Sequence, residues 1–328
     1  MPEPGSVGII ANPASGKDIR RLVAHGSTFD NNEKINIIRR ILIALGTLGV
    51  RDVWYMPDTY AIVPRAAEQA KATVVTLQSL PMPVLGNAGD STEAAMRMRD
   101  LGVSCIVTLG GDGTNRVVAR GCGNVPLVPI STGTNNVFPR MVEGTLAGMA
   151  AAAVALGYAG SALDRRTKLD VSIDGQPRDI ALVDVVLSSQ PWVGSRAFWH
   201  AGHLHEMVLS HIPRSAIGIC SLGPLLLPIH GSRTGGMHAR FGETGTTVLC
   251  PIAPGLLNEV TVSEFRALAT GESVGLEQMA GTIALDGERE IELRGKERVE
   301  VALSAEGPWV VDFDRAIAAA TAAGMFMR

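Results

Sequence analysis

The sequence predicts an α/β protein: an N-terminal parallel α/β sheet domain, then a β-rich, mostly antiparallel C-terminal domain. Through the first half, short apolar runs alternate with helix-length segments. After Asp164 the apolar runs follow one another across Gly/Pro turns. A chain of 328 residues also exceeds one typical core, which makes two domains the natural division. The expected limits are residues 1–145 and residues 165–304.

Taken in order, Val7–Asn12 reads as a strand that runs into the turn-like PASGK. Glu33–Leu48 is a helix with Ile35, Ile38, Leu42 and Leu45 on one stripe and Arg39 and Arg40 off it. Val50–Met56 is a strand, Ala61–Ala72 a helix and Thr73–Leu77 a strand. Ser91–Leu101 is a helix with Ser91 and Thr92 as caps, followed by the strand Val103–Leu109 and a helix from about Asn115. Strands separated by helices of this length pair in parallel, and ligands gather beyond their carboxyl ends.

In the second part, Leu169–Ile173 and Asp179–Leu187 flank DGQPR, a hairpin signal. Further strand-like runs are Ala216–Ser221, Met237–Phe241, Thr246–Pro251, Glu259–Phe265, Thr282–Leu285 and Val299–Leu303, with a helix expected at Arg196–His211. Asp312–Met327 reads as an Ala-rich helix.

The bulk chemistry narrows the function. A formal charge of −3 and no Lys/Arg run speak against nucleic acid or an anionic membrane surface as partner. Gly144–Leu163 is uncharged and long enough to span a bilayer, but its alanines and glycines suit a closely packed internal helix. The N-terminus has no basic region ahead of an apolar core, and Cys105, Cys122, Cys220 and Cys250 lie far apart. A cytoplasmic protein with reduced thiols is expected. Exposed sheet edges in a β-rich domain often pair, so a homodimer is a further expectation.

Two glycine-rich loops follow strands within one stretch: LGGDGTN after Val103–Leu109, and STGTNN after the run at Pro126–Ile130. Glycine lets backbone amides approach an anion closely, and the following helix adds its positive end. Gly110, Gly111, Gly113, Thr114 and Asn115 are therefore candidate phosphate contacts. Asp112 is a candidate base or metal ligand, although an aspartate there also suits helix capping. Thr132, Gly133, Thr134, Asn135 and Asn136 could hold a ribose or phosphate, or simply build the loop through Asx-turns. Asp286 and Glu288 flank Gly287; alone they read as a hairpin turn, and beside the other loops as a carboxylate pair at the cleft. ANPASGKD (Ala11–Asp18) misses the Walker pattern, leaving Asn12 as a candidate phosphate contact and Lys17 as helix-end surface. In HAGHLH, the spacing of His200, His203 and His205 fits neither a helix face nor strand alternation, so no metal site is expected.

These motifs carry a family resemblance. GGDGT, the later DGE and the N-terminal IIANPASGK resemble the superfamily of NAD kinases and diacylglycerol/sphingosine-type lipid kinases. Over most of the chain, Val7–Ser27, Ser131–Pro139 and Ala284–Glu290 resemble more closely the ATP-NAD kinase-like group named for acetoin-catabolism protein X. The resemblance implies a nucleotide in a cleft between the domains, with residues 305–328 returning to the first and Asp112 as the shared catalytic or metal-binding aspartate. It places phosphate over Gly110, Gly111, Gly113 and Thr114, and matches Thr134 and Asn135 to the second loop. Glu288 matches the acid that lipid kinases place near the acceptor hydroxyl.

Departures limit the resemblance. NAD kinases read A-L-N-[DE]-V where this chain has Ala181–Leu187, with Val183 in place of the Asn and Asp184 retained. Their T-P-T-G-S-T-A-Y segment has no counterpart; His230–Gly236 does not match it. The expected function is an ATP-dependent phosphotransferase using ATP and Mg2+, with NAD or another hydroxylated small molecule as acceptor. The alternatives are a nucleotide- or NAD-binding regulatory protein of acetoin catabolism without turnover, or a lipid kinase.

Overall fold

The computed structural model describes residues 5–16, 29–70, 75–133, 135–190, 201–227 and 235–327. The chain opens with β1 (Val7–Ala11), α1 (Asn31–Leu48), β2 (Asp52–Tyr55), α2 (Ile62–Gln69), β3 (Thr76–Ser79), α3 (Ala88–Asp100), β4 (Cys105–Gly110), α4 (Asp112–Ala119), β5 (Leu127–Ser131), α5 (Gly144–Ala155) and β6 (Leu163–Arg165). Then follow β7 (Lys168–Ile173), β8 (Gln176–Ala181), β9 (Asp184–Ser188), β10 (Leu204–Leu209), α6 (Leu222–Leu226), β11 (Gly236–Ala253), β12 (Leu256–Leu268), β13 (Ser273–Gly275), β14 (Ala280–Leu285), β15 (Glu288–Arg294) and β16 (Val299–Ser304). β17 (Trp309–Val311) and α7 (Phe313–Ala322) close the chain.

The first sheet orders its strands β3-β2-β1-β4-β5-β17-β6, parallel except where β17 meets β6. The strand order reverses between β1 and β4, the place where open α/β sheets form a crevice at their carboxyl edge. The buried stripe of α1, with Ile35, Ile38, Leu42 and Leu45 all shielded, packs on one face of this sheet. Beside it lies α5, close enough that a Cβ on Gly148 would stand 2.8 Å from Ala44 Cβ. The apolar Gly144–Leu163 stretch thus begins as an internal packed helix, and among the described residues no helix is long and apolar enough to cross a membrane.

The other face meets a six-stranded antiparallel sheet, β12-β11-β10-β9-β14-β15, through Val118, Phe138, Val183, Val186, Met207 and Met237. On its far face, Val185, Leu187 and Val208 pack against Leu169, Val171 and Val301 of a four-stranded sheet, β13-β16-β7-β8. Successive residues of a central strand therefore point into different cores.

Several expectations are corrected. Residues 196–200 of the expected Arg196–His211 helix lie outside the described residues, but Leu204–Leu209 is strand β10. Both its faces are covered, with Glu206 buried among apolar residues, so the strand lacks the alternation that would flag it. Ala216–Ser221 is not a strand; it turns through Gly218 at φ 109° into a 3-10 turn ahead of α6. Met237–Phe241 and Thr246–Pro251 belong to one strand, β11, irregular in register between them. α3 starts earlier than expected, capped by the side chain of Asn87, so Ser91 and Thr92 sit inside the helix. α4 also starts earlier, at Asp112 with Gly111 as its cap position, so Gly113 and Thr114 belong to its first turn.

Candidate active site at the carboxyl edge of the parallel sheet

Several of the predicted residues lie around the crevice between β1 and β4. Asn12, just past β1, donates from Nδ2 to Thr114 Oγ1 at 2.9 Å and so bridges the strand-order reversal. Ser15 in the same loop hydrogen-bonds Thr132 past β5, Oγ to Oγ1 at 3.1 Å. Asn115 is fully buried, accepting from Thr108 Oγ1 and donating to the Gly111 carbonyl, so it braces the turn rather than facing the crevice. Asn136 donates to Ser131 Oγ at 2.7 Å and leans over Gly111, where a Cβ would stand 2.8 Å from its Oδ1. Gly133 is held through Ser131 Oγ, and Asn135 is exposed. Thr134 and Lys17 lie outside the described residues.

The cap position of α4 is Gly111, which has no side chain to satisfy the helix amides. The side chains of Asp30, Asn87, Glu143 and Asp312 cap α1, α3, α5 and α7, and Asp58 accepts from Ile62 of α2, whereas no side chain caps α4. Its first-turn amides and positive dipole end thus face the crevice, an arrangement suited to phosphate.

Four acids surround this end. The Asp112 carboxylate accepts from Phe138 N at 2.7 Å and from Val137 N at 3.0 and 3.1 Å, anchoring the second loop. Asp286 and Gly287 form the two-residue turn between β14 and β15, with φ of 52° and 81°. The Asp286 side chain accepts from Leu182 N, Val183 N and Asp184 N, where the chain crosses from the four-stranded to the six-stranded sheet. The element is a hairpin turn whose first acid turns back onto the backbone of the interior. Glu288, next along, lays its carboxylate against Gly113, where a Cβ would stand 3.1 Å from it. Asp184 is buried beside them, and its Oδ1 has no hydrogen-bond partner among the described residues.

Crowding these acids away from water shifts their titration. Burial, then the charge of Asp286, pushes Asp112 up to about 7 against the pull of the Phe138 and Val137 amides. Burial, then Asp286 and Asp112, pushes Asp184 up to about 8. Asp286 is also raised by burial, opposed by its three amides and by Arg116. Among the described residues no three His, Cys, Asp or Glu side chains are placed to hold a metal ion by themselves. His205 Nδ1 stands 4.0 Å from Glu277, His203 lies near Ser189, and His200 falls outside the described residues.

Two supporting residues escaped the sequence reading. Arg116, one turn after Asp112 and almost wholly buried, pairs with Asp179 of β8 at 3.0 Å and with Asp286 at 3.8 Å. Lys34, fully buried, donates from Nζ to the carbonyls of Asn12, Pro13 and Ser15 and to Asn31 Oδ1, fixing the first loop. Its signal was legible: Asn31 and Lys34 are polar residues on the otherwise apolar stripe of α1.

Comparison with known proteins places this geometry. Over 312 residues the chain is 39% identical to acetoin catabolism protein X of Cupriavidus necator, covering 90% of this chain and 87% of that one. The chain belongs to the acetoin catabolism protein X family. Residues 167–306 match the acetoin catabolism protein X C-terminal domain, and residues 7–158 match the ATP-NAD kinase N-terminal domain. In architecture the chain is similar to yeast NADH kinase, solved in complex with NADH. That likeness has a TM-score of 0.53 at 14% identity, over 97% of this chain and 86% of that one, and establishes an NAD kinase-like fold.

Proposed function

We propose that the protein is an ATP-dependent phosphotransferase that moves the γ-phosphate of ATP to a hydroxyl of a small molecule, NAD or a metabolite tied to acetoin catabolism. One observation carries the reading. The start of α4, at the strand-order reversal and with glycine at its cap position, faces acids contributed by both halves of the chain. The triphosphate rests on the amides of Gly111–Thr114, with Asn12, Thr114 and the Thr132–Asn136 loop around it. Mg2+ enters bound to ATP as part of the substrate, since magnesium held by one or two carboxylates and phosphate oxygens needs no cage of protein ligands.

In the transfer, a bond forms between the acceptor oxygen and the γ-phosphorus while the bond to the β–γ bridging oxygen breaks, releasing ADP. The acceptor proton passes to Asp112, whose value of about 7 suits a base at neutral pH. Asp184, with its unpartnered Oδ1, and Glu288, over Gly113, flank the acceptor. Asp286 holds the backbone on which Asp184 sits. These assignments follow residues 1–145 with 305–328 as the nucleotide-binding part and 165–304 as the acceptor-binding part.

A panel of labelled ATP against NAD, hydroxyketones and lipids tests the proposal. One small acceptor should gain label, and Asp112→Asn should lower the rate about 100-fold or more with its melting temperature retained. Wild-type rates in that variant would remove the base. A second reading, a nucleotide-binding regulator without turnover, is favoured by Val183 and by the amides that occupy Asp112. ATP or NAD binding with no ADP released across the whole panel would select it.

A further inference from the structure

The far face of the six-stranded sheet carries a second polar cluster that phosphotransfer leaves unused. Glu206 is only 1% exposed, yet it faces the core between the two antiparallel sheets together with Val208. Its Oε1 accepts from Glu277 N at 2.7 Å and its Oε2 lies 2.6 Å from His238 Nε2. Although burial opposes ionisation, the His238 hydrogen bond, the Glu277 amide and the Arg240 charge hold this carboxyl below its ordinary range. An ionised acceptor at that distance fixes the ring, with the Nε2 proton pointing at Glu206. The nitrogen left to His238 for a ligand is Nδ1.

His238 is also part of the wall of a cavity of about 410 Å3, together with Arg240, Glu264, Arg266 and Ser273. That volume falls in the range of small-molecule sites, about 300–1,000 Å3. Strand register explains the gathering. His238 stands opposite Arg266, and Arg240 opposite both Glu206 and Glu264, while β13 of the four-stranded sheet supplies Ser273. Arg240 reaches Glu264 at 3.6 Å and Arg266 reaches Glu272 at 3.3 Å, all of them solvated side chains. Exposed pairs of this kind contribute little, so a bidentate anion can replace the rim carboxylates. Met207, Met237 and Ala239 alternate with this cluster and face the opposite core, the side on which Val186 and Asp184 point. The cavity is thus separate from the acids around α4.

We propose that this cavity is a second ligand site, for a small hydroxylated anion whose hydroxyl hydrogen-bonds His238 Nδ1 and whose carboxylate or phosphate is held by Arg240 and Arg266. The imidazole nitrogen turned away from Glu206 can hydrogen-bond a hydroxyl, which both donates and accepts, and the two guanidinium groups offer forks for the charge. The inference stands apart from the phosphotransfer reading, because no residue is shared.

Titration calorimetry of the full chain with malate and, separately, with glycerol 3-phosphate tests it and tells a carboxylate from a phosphate. At least one probe should saturate the wild type with a Kd at or below about 1 mM. Arg266→Ala, which leaves the buried Glu206–His238 pair untouched, should weaken that binding at least about 10-fold. His238→Asn should weaken it as well, whereas Asp112→Asn should bind as the wild type does. No saturable heat from either probe up to about 10 mM overturns the site. So does binding that survives Arg266→Ala, or binding lost in Asp112→Asn, which would place the ligand at the other crevice.

Discussion

Asp184 is where burial and charge conflict most directly. Its carboxyl titrates at about 8 in the folded chain against 3.8 when unperturbed, so between those values the native state holds a proton that the unfolded chain lacks. The sign follows: this contribution to stability is complete below about pH 4 and is lost as pH rises through about 8. Asp112, at about 7, adds in the same direction. Asp184→Asn removes the larger of the two shifts. Melts of the apo protein from about pH 5 to about pH 8 should show the variant gaining on the wild type as pH rises. Parallel pH dependences would contradict the assignment. Sequence alone could name Asp112, Asp184 and Asp286, because each sits in a short pattern. It could not show that Asp286 turns back onto the amides of Leu182–Asp184, since that depends on which strands pair and in what register.

α4 shows what one element contributes beyond its own eight residues. Its glycine start faces the crevice, and one turn on Arg116 ties it to β8 and to the β14–β15 turn, members of two different sheets. Arg116→Met leaves the Asp286 charge buried without that partner. The loss should be about 3–5 kcal/mol by urea unfolding, with Arg116→Lys recovering part of it. A Met variant as stable as the wild type would show that the guanidinium does not hold the turn. Legibility followed the same physics. α1 is legible because its apolar stripe repeats at helical spacing, whereas β10 resembles a helix in sequence because both its faces are buried. The start of α4 was placed three residues late because glycines, read as loop, can also occupy a first helical turn.

At the scale of the molecule, three packed cores stack the chain. α1 and α5 lie on the parallel sheet, that sheet on the six-stranded sheet, and the six-stranded sheet on the four-stranded one. β17 enters the first sheet between β5 and β6, and α7 packs beside α5, so the end of the chain joins the part that began it. The alternation of strand and helix signals foretells a parallel α/β part and a β-rich antiparallel part, but not the division of the latter into two stacked sheets. The insertion of a three-residue strand was not foreseeable from so short a pattern. The proposed function depends on the crevice between the first two layers, where Gly113 of one meets Glu288 of the other. A crystal structure of the full chain with magnesium and a non-hydrolysable ATP analogue tests that claim most directly. The account predicts triphosphate density on the amides of Gly111–Thr114, with the γ-phosphate towards Asp112 and Glu288; an empty crevice with nucleotide bound elsewhere would contradict it.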